Sequence, residues 1–278
     1  MLQDVCSILL TLHLLESRPL IDVLTIFLTQ RARNLQSTLS RSPKSAPNGS
    51  LPNGSALPKS KKAIVREVRE GLETVLEAIA STAGVARAVF SNKSKDSPSL
   101  MSRILFFIQS DVPVLDASLP TELQMSTQHL LSTLPSASHF ALLPSSIRSY
   151  RPYVDLTSAT SSVPPAQLAL QLGECFSKAV TSLQNAAEGW FTDLRTLKEV
   201  WAVRLWFDEW LGGKELEDGE KRGLAEVVDG VAHGQAVKIL RRVLGDVQNC
   251  FHDELRDALS QLRDGASHLG MFLAVYFL

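Results

Sequence analysis

The residues of this chain best suited to chemistry are its three cysteines, its histidines and one pair of adjacent carboxylates. Cys250 and His252 come closest to a metal-ligand spacing. Two residues apart on a helix point about 200° away from each other, so this pair would not converge on one ion. The spacing predicts a buried Cys250 and an exposed His252. His129, His139, His233 and His268 share no metal-type spacing with that pair or with one another. Asp253 and Glu254 lie among Arg256, Asp257 and Arg263, the composition of a solvated charged face rather than of a general acid/base dyad. Glu16 and Asp22 are equally ordinary. The sequence contains no G-x-S-x-G elbow, no G-x-x-x-x-G-K-[ST] loop and no G-x-G-x-x-G fingerprint. The expectation is therefore no catalytic residue, no metal ligand and no cofactor site.

Composition narrows the class further. A net charge of −1 gives no electrostatic footprint for nucleic acid. Cys6, Cys175 and Cys250 are far apart and odd in number, which argues against a disulfide framework and fits a reducing, cytosolic compartment. No basic segment precedes Val5–Leu15, so this stretch is not read as a signal peptide. No apolar run reaches the ~18 residues needed to span a bilayer.

The elements that would position any site are helical. The chain is organised around Trp190 to Leu211, which holds all four tryptophans. Trp190, Leu194, Leu197, Trp201 and Leu205 recur at three- and four-residue steps and predict one helical stripe. Ala202, Val203, Leu205, Trp206, Phe207, Trp210 and Leu211 cover nearly the whole circumference, which predicts burial on more than one side. Core packing is the favoured role for the tryptophans, with an anchor for a partner as the alternative. Arg204 and Asp208, spaced i,i+4, can pair on the polar strip.

Residues 1–39 read as a helical hairpin, with Ser17 as N-cap and Pro19 in the first turn of its second helix. Residues 40–62 hold four prolines, two Asn-Gly pairs and many serines, and read as a disordered linker. The sequons at Asn48, Asn53 and Asn92 are taken as accidental in a chain with no secretory signal. Residues 63–265 form a helical-rod region. Its first stripe is Ile64, Val68, Leu72, Val75, Leu76 and Ile79; short helices are expected at 100–108 and 120–134, and an irregular connection at 135–165. A long helix follows Pro164-Pro165 and carries Leu168, Leu172, Cys175, Phe176, Val180 and Leu183, with Gly173 and Gly189 as places for a bend. Gly212-Gly213 ends it, and a shorter helix starts at about Glu215. The most regular stripe comes last: Val237, Leu240, Leu244, Val247, Phe251, Leu255, Ala258 and Leu262. Two adjacent long helices with apolar seams predict a rod, of all-α class, built as a bundle of antiparallel helices. Gly265 reads as a helix stop, and the apolar tail 266–278 as the end of an incomplete or mis-spliced gene model.

Three blocks of this sequence resemble subunit 1 of the conserved oligomeric Golgi complex, a vesicle-tethering assembly. The first runs from Cys6-Ser7-Ile8 through Leu14-Leu15-Glu16-Ser17 to Leu24, Phe27-Leu28 and Arg31-Ala32. The second is Leu143-Pro144-Ser145-Ser146-Ile147 with Arg151-Pro152, and the third is the helical stretch Leu168 to Leu262, including Val200-Trp201 and Leu240-Arg241-Arg242-Val243-Leu244. Against the family's pattern the chain starts after an N-terminal coiled-coil region, stops before the C-terminal half, and carries extra residues around Thr11 to His13.

The resemblance implies an elongated rod of the helical tethering-complex type and no enzymatic activity. It implies a scaffold subunit in retrograde intra-Golgi transport, which keeps glycosylation enzymes in place. The implied location is the Golgi membrane, peripheral, on its cytosolic face. The implied partners are the other subunits and, through the complex, SNARE, Rab or coat proteins, with no nucleic acid and no cofactor. The alternatives are a subunit of another helical-rod tether or adaptor, of exocyst or endosome-to-Golgi type, and a helical enzyme with a dispersed site.

Overall fold

Val68, Leu72, Val75, Leu76 and Ile79 recur at helical steps, and all five are buried. They lie on one of seven α-helices that make up the described part of the chain, in which no strand occurs. The computed structural model describes residues 2–40, 61–92, 98–109, 142, 144, 153 and 155–276. The helices are α1 (Leu2–Glu16), α2 (Leu20–Ser40), α3 (Lys61–Phe90), α4 (Leu100–Gln109), α5 (Pro165–Phe191), α6 (Leu197–Gly212) and α7 (Asp218–Tyr276). The chain is thus all-α, as its periodicities predict. The linker stretch 41–60, the expected helix at 120–134 and nearly all of the second resembling block lie outside the described residues.

Two apolar cores share three helices. One gathers Cys6 and Leu9 of α1, Leu20 to Leu28 of α2, Val85 to Phe90 of α3, Met101 to Leu105 of α4, and Leu168 and Leu172 of α5. The other gathers Leu35, the N-terminal half of α3, Leu183 to Phe191 of α5, and buried residues of α6 and α7. The start of α2 therefore packs beside the end of α3 and the start of α5. Antiparallel α2 and α3, with α5 parallel to α2, form the spine of the bundle. Each core buries tens of apolar groups, and burial of a Leu, Val or Phe side chain is worth roughly 1.5–3 kcal/mol. Gly71 of α3 lies beside Trp190, where a Cβ would meet the indole ring at 3.9 Å, an ordinary van der Waals contact.

The segment from Leu168 to Leu211 is not one helix. It breaks at Thr192–Thr196, beyond both glycines that the sequence offers as bends; Gly173 and Gly189 are helical. Thr196 explains the place. Its hydroxyl accepts from the Glu199 amide at 3.3 Å, and Glu199 Oε2 accepts from the amides of Thr196 at 3.2 Å and Arg195 at 2.7 Å. This capping box satisfies helix-start donors that an uninterrupted helix would not have. The break folds α6 back antiparallel to α5, and α7 then returns alongside α5.

Other boundaries also differ from the sequence expectation. Ser17 is not the N-cap of α2; it follows the last residue of α1 with φ 50, a left-handed conformation that reverses the chain. The Pro19 carbonyl instead accepts from the amides of Asp22 and Val23 at 2.9 and 3.1 Å. The helix expected near Glu215 and the stripe from Val237 belong to a single 59-residue helix, α7. Gly265 does not stop it, since the backbone stays helical to Tyr276. A lone glycine inside a helix costs only about 1 kcal/mol relative to alanine. At 1.5 Å per residue α7 is about 90 Å long.

Candidate interaction surface

Helix α7 carries two apolar stripes on different faces. Leu224, Val228, Val231, Ala232, Gln235 and Ile239 face the bundle and are buried. At about 100° per residue, the same face continues through Arg242, Asp246, Asn249 and Asp253, all polar. The second stripe, Leu240, Leu244, Val247, Phe251 and Leu255, lies roughly 150° around the helix from the first. Every residue from Leu240 to Gln261 except Gly245 is exposed. The five large side chains of the seam are between 45% and 66% exposed.

The expectation that this most regular stripe packs against its neighbour is therefore corrected. The seam lies beyond the point where α7 leaves the bundle: past Ile239 both faces of the helix are exposed, so the stripe packs against neither core. What holds the first half in place is polar as well as apolar. Gln235 Nε2 donates to the Leu194 carbonyl at 2.8 Å in a buried bond, and Arg242 donates to the Arg195 carbonyl at 2.6 Å. Arg204 of α6 donates to Asp229 of α7 at 2.7 Å, and also pairs with Asp208 at 3.2 Å as its spacing predicts. Asp229 is the larger influence and raises the Arg204 pKa by hydrogen bonding and charge. Periodicity within one helix gave no sign of Asp229, 25 residues away.

The tryptophan stretch divides between core and surface. Trp190 and Leu194 are buried, while Leu197, Trp201 and Leu205 are exposed, Trp201 by 56%. The single stripe expected from Trp190 to Leu205 is thus split by the break at Thr196. Its second part faces solvent on α6, with the Arg204 guanidinium 5.4 Å from the centre of the Trp201 ring. Trp206 and Trp210 are half-buried against the core, with Phe207 stacked on Trp210 at 6.4 Å. Core packing and surface display are both realised, in different tryptophans.

Among the described residues, those singled out for chemistry do not come together. Cys250 is exposed, contrary to the expectation that it would be buried, because it lies on the part of α7 beyond the bundle. His252, Asp253 and Glu254 are exposed on the same segment, and Asp253 lies 3.7 Å from Arg256. No group of three or more His, Cys, Asp or Glu side chains able to hold a metal ion occurs among the described residues. Asn92, in a sequon, accepts from the Ser99 amide at 2.8 Å and so orders the approach to α4. His129 and His139 lie outside the described residues. His13, which periodicity does not single out, is buried, and its Nδ1–H donates to the Arg18 carbonyl at 2.6 Å across the α1–α2 turn.

One crevice of about 110 Å³ opens between α2, α3 and α5 beside Leu35, Ile79, Phe176 and Cys175. Burial raises the Cys175 pKa, against the opposing charge of Lys178, and so holds the group as a thiol. Thr82 and Ser182, also at the crevice, donate their hydroxyls to backbone carbonyls of their own helices at 2.7 and 2.9 Å. Its lining includes no carboxylate and no imidazole. What the arrangement offers is apolar helix surface, on α7 and on α6. Among the described residues no helix is long and apolar enough to cross a membrane. Comparison of the chain with protein-family models, curated proteins and solved structures gives no match.

Proposed function

We propose that this chain is a non-enzymatic helical scaffold that binds other proteins through apolar faces of its helices. The observation that carries this reading is the seam Leu240–Leu255, a regular apolar stripe left in solvent on the half of α7 that extends beyond the bundle. An exposed stripe at helical spacing is the surface that helix-to-helix recognition uses. Leu197, Trp201 and Leu205 on α6 offer a second, smaller strip of the same kind, with a tryptophan at its centre.

The more specific reading is a subunit of a Golgi vesicle-tethering complex of the conserved oligomeric type. Such a subunit acts at the cytosolic face of the Golgi membrane in retrograde transport and maintenance of glycosylation, with the complex's other subunits as its partners. The resemblance of the three sequence blocks supports it, and the all-α architecture accords with it. Affinity purification of the tagged chain from cells, followed by mass spectrometry, tests both levels. Recovery of Golgi tethering subunits, lost when Leu244 and Phe251 become aspartate, is the expected result. Recovery of exocyst or endosome-to-Golgi subunits instead would assign the chain to another tether, and recovery of chaperones alone would overturn the tethering reading.

A further inference from the structure

Arg31 is a charged residue set in the buried stripe of α2. It stands four residues from both Phe27 and Leu35 and seven from Leu24, so all four share one face. Leu24, Phe27 and Leu35 are buried there, and Arg31 is half-buried. It falls in the gap between the two cores, since Leu28 belongs to one and Leu35 to the other, and it lines the crevice of about 110 Å³ between α2, α3 and α5. From this placement we infer that the crevice binds a small alkyl carboxylate, with its chain among the apolar walls and its head at Arg31 and Lys178.

Shape sets the chain. The walls are Leu35, Ile79, Leu172 and Phe176, with alanines from all three helices. A cavity of roughly 150 Å³ takes a benzene ring, so this smaller one suits a short alkyl chain. Charge sets the head. The Arg31 guanidinium lies 5.3 Å from the centre of the Phe27 ring, and among the described residues no carboxylate lines the crevice. An anion stabilises a half-buried cation by a charge-assisted hydrogen bond, roughly twice as strong as a neutral one. Lys178 of α5 stands at the same height on the exposed rim. Gln171 Nε2 donates to Thr25 at 3.2 Å and ties parallel α5 and α2 together. Arg31 lies six residues beyond Thr25 and Lys178 seven beyond Gln171, so their levels agree to about 1.5 Å. Thr82 and Ser182 spend their hydroxyl protons on their own helices. The strong donors left at the crevice are the two cations and the Gln36 amide, which select an acceptor as the head group. The site does not depend on the scaffold reading, because none of its groups lies on α6 or α7.

Cys175 lines the crevice and reports on it, while exposed Cys250 is a control within the same molecule. The native full chain is treated with iodoacetamide, and labelling of each cysteine is followed by peptide mass spectrometry. Saturating hexanoate should slow Cys175 by about tenfold and leave Cys250 unchanged. Acetate at equal ionic strength carries the charge without the chain, and hexanol carries the chain without the charge. Each should need about tenfold more ligand than hexanoate, or fail to protect. Arg31→Met keeps the apolar stem and should raise the hexanoate concentration for half-protection about tenfold. Lys178→Met, at an exposed site that the fold does not need, should raise it too. Each variant is compared with its own rate without hexanoate, because the Lys178 charge acts on the Cys175 thiol.

A Cys175 rate that hexanoate does not change overturns the inference, and so does protection that extends to Cys250. Hexanol protecting as well as hexanoate would overturn the anionic head, and acetate protecting as well would overturn the alkyl chain. Half-protection unchanged in both variants would place the carboxylate elsewhere and overturn the site.

Discussion

Gln235 Nε2 of α7 donates to the carbonyl oxygen of Leu194, in the turn between α5 and α6, across 41 positions of sequence and at 2.8 Å. The bond is buried, and it sets which residues of α7 lie over the core at the point where the helix leaves the bundle. Without its partner, the Leu194 carbonyl would be a buried acceptor with one bond lost. Gln235→Leu should therefore destabilise the fold by about 1–3 kcal/mol. Urea unfolding followed by circular dichroism measures this, and a change under about 0.5 kcal/mol, the level of an ordinary surface substitution, would count against the role.

The two ends of the expected tryptophan stripe should differ in energy. Trp190 packs in the core against Gly71, so Trp190→Ala should cost about 3–5 kcal/mol. Trp201 stands in solvent, and Trp201→Ala should stay within about 0.5 kcal/mol. Iodide should quench fluorescence lost in the Trp201 variant and leave that of Trp190 largely unquenched.

The helix break should be as sensitive as its cap. Thr196→Ala removes the acceptor of the Glu199 amide and should cost about 1 kcal/mol. Thr196→Asp keeps an acceptor there and should recover most of the loss. Equal destabilisation by both substitutions would show that the hydroxyl does not act as a cap.

Stability should fall in alkali, partly through Cys6. Burial pushes its thiol from an ordinary 9.0 up to about 11. Below pH 9 the thiol is protonated in both states and contributes its full share. Between pH 9 and about 11 the unfolded chain loses the proton first, so stability declines as pH rises. Urea titrations at pH 8 and pH 10.5 should show a smaller loss for Cys6→Ala than for the wild type. The same burial predicts the order of labelling by a thiol reagent in the native state: exposed Cys250 first, half-buried Cys175 later, and Cys6 only on unfolding.

Ser17 holds φ at 50, where a Cβ crowds the backbone and glycine does not. Ser17→Gly should raise stability, by less than about 1 kcal/mol because the unfolded chain also gains freedom. A lower melting temperature for this variant would contradict the strain.

The helical class, the stripe of α3, the start of α5 after Pro164-Pro165 and the end of α6 at Gly212 were legible in the sequence. Each is written in local terms: apolar spacing, a proline tolerated in a first turn, a glycine pair at the end. The break at Thr196 was also written locally, in Thr196-x-x-Glu199, but the apolar residues that run across it hide the cap. The candidate surface was only half legible. The seam of α7 shows in the sequence as a stripe, and nothing in it tells a buried stripe from an exposed one.

Local spacing thus determined by itself that this chain is helical and which residues share a helix face, because both follow from the 3.6-residue repeat. Tertiary structure alone decided which faces are covered. Leu194 and Leu197 stand three residues apart with the same side-chain chemistry, and one is wholly buried while the other is 42% exposed. Leu224 and Leu244, both on α7, differ in the same way. Burial depends on which distant segments arrive beside a residue. For α7, contacts such as Gln235 to Leu194 hold its first half on the bundle, while its most regular stripe lies on the half that extends beyond it.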